Sequence, residues 1–253
     1  MKKTNNQILE NVYDYGMKLA YEGKYKEAIT VLLPLARDNY LQSRNNIGVC
    51  FQRIGDYINA AKFYRISEDD TARVNLGQLY TNKQIKFDRG DFFKIAQELM
   101  QAKNQEGYHL MYEYYSLTGF VETDYKKGFD YILKGLIDCG ASDTLIFDLG
   151  VCYEFGYGVE KDEVRAHMYY GMILENDKVG QYNYALQCYQ GRGCEKDVER
   201  AIVYFEKSAK QNYKDAIEHL IEIYQSEEYK NEEKYLFYKK QLERINENCN
   251  IKK

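Results

Sequence analysis

Residues 156–170 of the chain read GYGVEKDEVRAHMYY, and residues 191–205 read GRGCEKDVERAIVYF. The second stretch begins 35 residues after the first, since 191 − 156 = 35. Both glycines, one aspartate, one alanine and an aromatic pair keep this spacing. A fixed period of this size is typical of repeat proteins, in which each unit packs only on its neighbours. The repeat therefore predicts an architecture and leaves open what the protein binds.

Each unit reads as a pair of antiparallel helices. In the clearest unit the apolar residues of the first helix follow helical spacing around Gly150, where a small residue fits if a neighbouring helix crosses at that point. Gly156 and Gly158 predict the turn that ends this helix. Asp162 and Asp197 stand where second helices begin, so that a carboxylate caps free backbone amides there.

These residues resemble a Sel1-like repeat. The resemblance rests on the glycine, aspartate, alanine and tyrosine positions of residues 149–170. The next copy departs from the pattern at Ala185, Cys188 and Cys194, which replace the usual glycine, tyrosine and valine.

The N-terminal part is similar to the related tetratricopeptide repeat. Gly16 and Tyr25 recur 32 residues later as Gly48 and Tyr57, against a nominal period of about 34 residues. Both families form right-handed superhelices of helix pairs and usually serve as interaction scaffolds. The resemblance therefore implies an all-α fold, a right-handed α-solenoid of about seven antiparallel helix pairs.

Two sections are expected within one continuous solenoid. Residues 1–105 carry the tetratricopeptide-like repeats, and residues 106–253 carry the Sel1-like repeats and a polar C-terminal capping helix. Thr71 is expected to cap the first helix of the third unit, and residues 81–91 are expected to form an irregular or mobile loop. Pro34 either kinks the second helix of the first unit or marks where that helix starts or stops.

Composition excludes several classes of function. The net charge is −4 without a basic stripe, which argues against nucleic-acid binding. No apolar run approaches the roughly 18 residues of a membrane helix, and no signal peptide is expected. The cysteines show no C-x-x-C pair, which favours free thiols in a cytoplasmic protein. They are Cys50, Cys139, Cys152, Cys188, Cys194 and Cys249.

No constellation of catalytic or metal-binding residues emerges. The three histidines belong to different units, so no Cys/His zinc spacing is found, and no histidine is expected near Cys194. Asp215, His219 and Glu222 share one helical face, which either holds a metal or forms a solvated, salt-bridging surface. Neither a phosphate loop nor a nucleophile elbow is present. We therefore expect no enzyme activity, no metal and no cofactor.

The family resemblance also suggests which residues line a binding groove. First helices of such stacks line the concave side, and asparagines there pair with a peptide backbone or C-terminus. The lysines of a carboxylate clamp are missing, and the tyrosines either anchor a partner or pack between helices. The groove candidates are Tyr13, Met17, Asn45, Gln52, Asn75, Gln78, His109, Glu113, Phe147, Glu154, Tyr182, Asn183 and Tyr189.

Three functions follow from these observations. The first is a non-catalytic scaffold whose groove holds a protein or peptide partner, with neither nucleic acid nor membrane involved. The second is a peptide-sensing regulator; because repeats begin by about residue 8, it would signal through a partner protein rather than a helix-turn-helix of its own. The third is an effector with an active site on the solenoid.

Overall fold

The computed structural model describes residues 2–37, 40, 42–175 and 177–250. Within these residues the chain forms fourteen α-helices and no β-strand. This confirms the predicted all-α class, and fourteen is the number of helices that seven pairs require. The helices pack as two compact units, residues 1–123 and 124–253. The predicted change of repeat type at residue 105 stays a prediction.

Unit 1 contains seven helices, each packed on the next along the chain. The first helices of successive pairs, α1, α3, α5 and α7, also contact one another in that order. Its core holds large apolar and aromatic side chains from both helices of each pair, such as Leu32, Ile47 and Tyr64. The helices are α1 (Lys2–Tyr21), α2 (Tyr25–Arg37), α3 (Gln42–Arg53), α4 (Tyr57–Arg65), α5 (Asp70–Thr81), α6 (Arg89–Gln101) and α7 (Gln105–Ser116).

The loop between α5 and α6 is irregular, as predicted, and aromatic contacts attach it to the unit. Lys83 has a positive φ of 56°, which breaks the helical path after α5. The ring of Phe87 stacks on that of Phe120 with centroids 4.0 Å apart, and it also contacts Phe92 and Tyr114. Aromatic packing of this kind stabilises the loop position beyond simple burial.

Unit 2 contains the other seven helices, again packed in sequence. Phe205, Ile217 and Leu220 are fully buried in its core. None of the helices in the described residues is long and apolar enough to cross a membrane. The helices are α8 (Tyr125–Cys139), α9 (Asp143–Phe155), α10 (Glu163–Met172), α11 (Lys178–Gln190), α12 (Val198–Lys210), α13 (Lys214–Gln225) and α14 (Glu232–Asn250).

Glycines mark the close approaches that the repeat requires. A Cβ at Gly150 would lie 2.7 Å from Cε1 of Tyr170, which confirms that α10 crosses α9 at this small residue. Gly156 and Gly158 have φ angles of 75° and 73°, as their turn predicts. Gly158 also approaches α8 so closely that a Cβ there would overlap the carbonyl oxygen of Tyr125.

Aspartates cap seven of the helices in the described residues, and one prediction about these caps is wrong. Asp162 and Asp197 accept hydrogen bonds from the amides of Arg165 and Arg200, which confirms them as caps. Thr71 does not cap α5: the cap is Asp69, whose carboxylate accepts the Thr71 amide at 2.8 Å. The carboxylate of Asp69 stands at the N-cap position, two residues earlier, and reaches the free amides better than a hydroxyl already inside the first turn.

The proline of the first unit lies inside a helix. Pro34 sits near the C-terminal end of α2, which continues to Arg37. The alternative that α2 starts or stops at Pro34 is therefore wrong.

Candidate functional site

In unit 1, polar side chains link the first helices to one another. Asn46 Nδ2 on α3 donates to Tyr13 Oη on α1 at 2.6 Å. Asn75 Nδ2 on α5 donates to Asn45 Oδ1 on α3 at 3.3 Å. The two predicted asparagines therefore lie together on one face, and each keeps hydrogen-bonding capacity, since an amide offers two donors and two lone pairs.

The other unit 1 candidates differ in how much surface they offer. Gln78 is exposed on α5. Gln52 on α3, by contrast, accepts a hydrogen bond from Tyr64 Oη on α4 at 2.5 Å. Met17 packs at the edge of the core. On α7, His109 Nε2 lies 3.7 Å from Glu113 Oε1, and both side chains are about three-quarters buried, at 23% and 24% exposure. Among them, Gln78 is thus the most accessible.

Glu154 in unit 2 is occupied by neighbours. Its side chain is only 5% exposed, accepts a hydrogen bond from Tyr170 Oη at 2.7 Å and forms an ion pair with Arg192 Nη1 at 2.9 Å. It therefore connects α9, α10 and the turn after α11, and offers little surface to a partner. Phe147, from the same helix, contacts the Tyr170 ring at 5.7 Å.

Aromatic rings converge where α11 meets α13. The Tyr182 ring lies 5.6 Å from His219 and 5.8 Å from Phe205, and Tyr189 lies 6.3 Å from His219. His219 stacks on Phe205 at 5.1 Å. The candidates Tyr182 and Tyr189 are half-buried, as is Asn183, so each combines core packing with an accessible edge.

Carboxylates of α13 surround these rings. Burial is the main cause that raises the pKa of Tyr182 to about 12, and Asp215, Glu218 and Glu222 raise it further. Their negative potential therefore acts directly at the Tyr182 hydroxyl. We call Tyr182, Tyr189, Glu218, His219 and Glu222 the aromatic–acidic face.

The alternative metal set on α13 is not assembled. His219 Nδ1 lies 3.0 Å from the Asp215 carbonyl oxygen of the same helix, and its ring is stacked rather than directed at carboxylates. Among the described residues, the histidine and cysteine side chains that do meet are His167, Cys188 and Cys194. The expectation that no histidine lies near Cys194 is therefore wrong.

An exposed apolar stripe on second helices was not predicted. Val164, Met168 and Met172 follow one another at four-residue spacing on α10 and are 66%, 53% and 60% exposed. On α8, Ile137 is 82% exposed. The signal was readable as apolar residues four apart in a second helix, but such spacing equally fits a core-facing stripe.

Comparison with known proteins places the repeats in a family. The Sel1 repeat family matches residues 107–135, 146–176 and 178–213. No curated protein is significantly similar to the chain.

Solved structures share the fold. A Sel1 repeat protein from Oxalobacter formigenes has 22% identity over 92% of this chain and 99% of its own, with a TM-score of 0.66. A protective antigen of uropathogenic Escherichia coli strains, which displays an SLR fold, has 20% identity over 96% of this chain and 55% of its own, with a TM-score of 0.60. An immunity protein from Pseudomonas aeruginosa has 14% identity over 82% of each chain, with a TM-score of 0.59.

At these identities the likeness shows the fold alone. Together with the helix pairs, the turn glycines and the aspartate caps described above, the family match is decisive for the repeats. The chain contains three Sel1 repeats between residues 107 and 213.

Proposed function

We propose that the protein is a non-catalytic scaffold that binds a segment of another protein at the aromatic–acidic face. A Sel1-like scaffold fits a protein-interaction role in general and is typically non-catalytic. The observation that carries the proposal is that half-exposed tyrosines of α11 lie beside acidic side chains of α13.

The chemistry of this face favours a particular kind of partner. Tyrosine rings present a large rigid contact area, and a cation above such a ring is attracted by about 0.5–2 kcal/mol. Glu222 is exposed. The negative charge of Glu218 is only partly offset, by an exposed ion pair with Lys214 at 3.4 Å. A partner segment with arginine or lysine next to apolar side chains satisfies both features.

The face is also stable enough to remain in place without a partner. Tyr182 packs against Phe205 and Tyr213, and Tyr189 packs against Phe205. A preorganised surface binds with a smaller loss of side-chain entropy. The same packing makes Tyr182→Ala a poor test, because the change removes core contacts together with any partner contact.

The test therefore changes charge and leaves the rings intact. The variant E218Q/E222Q neutralises two carboxylates that are four residues apart on α13. Exposed carboxylates contribute about 0.5–1 kcal/mol each, so loss of both weakens affinity for the partner about 5- to 30-fold. Proteins captured by the immobilised chain from its native host are purified, and their affinities are measured by calorimetry.

Two control variants separate the possible surfaces. E243Q/E247Q makes the same charge change at the same spacing on exposed positions of α14, and its affinity is expected to equal that of the unmodified chain. M168K/M172K disrupts the exposed stripe of α10. If E218Q/E222Q binds the partner as the unmodified chain does and M168K/M172K does not bind it, the binding surface lies on the second helices and the proposal is refuted.

A further inference from the structure

Three metal-binding side chains from different parts of unit 2 meet at one point. His167 lies on α10, Cys188 on α11 and Cys194 in the turn after α11. One ring nitrogen of the histidine and the two Sγ atoms all lie within 4.8 Å of one another. Cys188 is fully buried, while His167 and Cys194 are partly buried. The cluster therefore lies below the surface but remains accessible to a small ion.

The imidazole is held in place by two neighbours. Its ring stacks on Tyr184 with centroids 4.4 Å apart and an interplanar angle of 20°. Its Nδ1 lies 3.2 Å from Oε1 of Gln187, a residue that is only 1% exposed. Metal-binding histidines usually have such a partner on one ring nitrogen, which fixes the ring and leaves the other nitrogen for the metal.

The preceding repeat shows what this position normally contains. Two register relations connect the repeats: Tyr131 precedes Tyr169 by 38 residues, and Gly158 precedes Gly193 by 35. The offset of 38 residues makes Phe129 the counterpart of His167. The offset of 35 residues makes Tyr153 and Val159 the counterparts of Cys188 and Cys194. The rings of Phe129 and Tyr153 are in contact at 6.2 Å, so this position is filled by packed apolar side chains.

Phe129, Tyr153 and Val159 are thus all replaced, one repeat later, by side chains that bind metals. A change of one aromatic residue to cysteine would be ordinary core variation. Replacement of the contacting Phe129 and Tyr153, together with Val159, by an imidazole and two thiols is a change of chemistry at the equivalent place one repeat later.

We propose that His167, Cys188 and Cys194 bind a soft divalent cation, of which Zn²⁺ is the representative. Two sulfur ligands and one imidazole nitrogen suit zinc, and three protein ligands leave a fourth position open. On binding, the two thiols release two protons, the thiolates neutralise the 2+ charge, and the imidazole contributes a lone pair. No oxidant or reductant is needed.

Burial shifts the protonation of two members of the cluster. Burial is the main cause that raises the pKa of the Cys188 thiol to about 12, and burial also lowers the pKa of His167. Burial thus favours the neutral imidazole, the form in which one ring nitrogen has a lone pair. A metal that binds here has to displace the thiol protons, as is usual for structural metal sites.

Cobalt(II) gives a direct optical test on the full chain. The chain is reduced, freed of metal and titrated with Co²⁺, which takes zinc's place and shows a thiolate-to-cobalt charge-transfer band. We expect one equivalent of Co²⁺ per chain, displacement by Zn²⁺, and a rise in melting temperature on addition of Zn²⁺. C188S and C194S are each expected to lose the band. Q187L, which removes the partner of the imidazole, is expected to weaken affinity about 10- to 100-fold.

The matched control is C139S, which removes another partly buried thiol of unit 2. It is expected to keep the band and the stoichiometry. Circular dichroism of each variant confirms helicity, and the titration of the unmodified chain stands even if a variant fails to fold.

Two results would overturn the proposal. One is a reduced chain that binds neither cobalt nor zinc. The other is a charge-transfer band that survives in C188S/C194S. Neither result bears on the aromatic–acidic face, so the two proposals fail independently.

Discussion

Alanine substitution at the two turn glycines of one repeat separates backbone strain from close packing. Gly156 and Gly158 are two residues apart and have φ angles of 75° and 73°. Their surroundings differ. A Cβ at Gly156 would lie 3.5 Å from its nearest neighbour, in ordinary contact, whereas one at Gly158 would overlap the Tyr125 carbonyl of α8.

The expected magnitudes follow from this difference. A left-handed backbone costs a non-glycine residue about 1–2 kcal/mol, so G156A should lower the free energy of unfolding by that amount. G158A has the same backbone term and in addition forces the turn away from α8, an overpacking cost of about 1–3 kcal/mol. The total for G158A is about 2–5 kcal/mol. The entropy that alanine removes from the unfolded chain is the same in both variants and cancels in their difference.

Urea denaturation followed by circular dichroism measures both free energies. Equal m-values of the two variants are needed for the comparison, because they show that the same surface is exposed on unfolding. Movement of the turn should also separate the rings of Tyr125 and Tyr157, which are stacked at 4.2 Å. Equal stability of G156A and G158A would refute the reasoning, since it would mean that the turn does not pack against α8.

Two further predictions concern the helix crossing of α9 and an ion pair near the C-terminus. G150L should lower the melting temperature by about 2–12 °C, because its Cβ meets the buried Tyr170 ring at 2.7 Å; an unchanged melting curve would contradict the crossing. Burial acts to raise the pKa of Glu206, but hydrogen bonds from Lys234 and Tyr224 outweigh it and hold that pKa below its ordinary value. Since the folded pKa is depressed, this contribution to stability is present above the unfolded value of about 4.3 and is lost as pH falls through the folded one. The unfolding free energy of E206Q should therefore fall less steeply than that of the unmodified chain as the pH drops below about 5. If the two pH profiles run parallel, the contacts of Glu206 with Lys234 and Tyr224 do not stabilise the fold as argued.

The repeat made the helix pairs predictable because each unit repeats the same local chemistry. The period of 35 residues fixes where glycines turn the chain and where Asp162 and Asp197 cap helices, and all of these features are found. The details of the third unit were less predictable. Asp69 displaced Thr71 as the cap, since several polar residues compete there and only their backbone geometry decides among them.

Residues that line a groove were harder to predict than helices. The sequence shows which residues share one face of a helix, but it does not show which of them a neighbouring helix covers. Glu154 shows this clearly. Its position on a first helix suggested a groove residue, but Arg192, 38 residues later, approaches to 2.9 Å and pairs with its carboxylate. Asn45 and Asn75 likewise bond to each other. Partners at such distances in sequence are set by tertiary packing, which a pattern within one repeat does not contain.

The His–Cys–Cys cluster indicates how such contacts become predictable in a repeat protein. His167 and Cys188 lie in different repeats, so a search for metal ligands at zinc-finger spacing passes over them. Their counterparts Phe129 and Tyr153 are in contact between the two preceding repeats, and the repeat register transfers that contact to the next pair. In a solenoid, therefore, one known contact between repeats predicts the equivalent contact wherever the register holds. Positions that change from apolar to metal-binding residues together at such a contact form a stronger signal than any spacing along the chain.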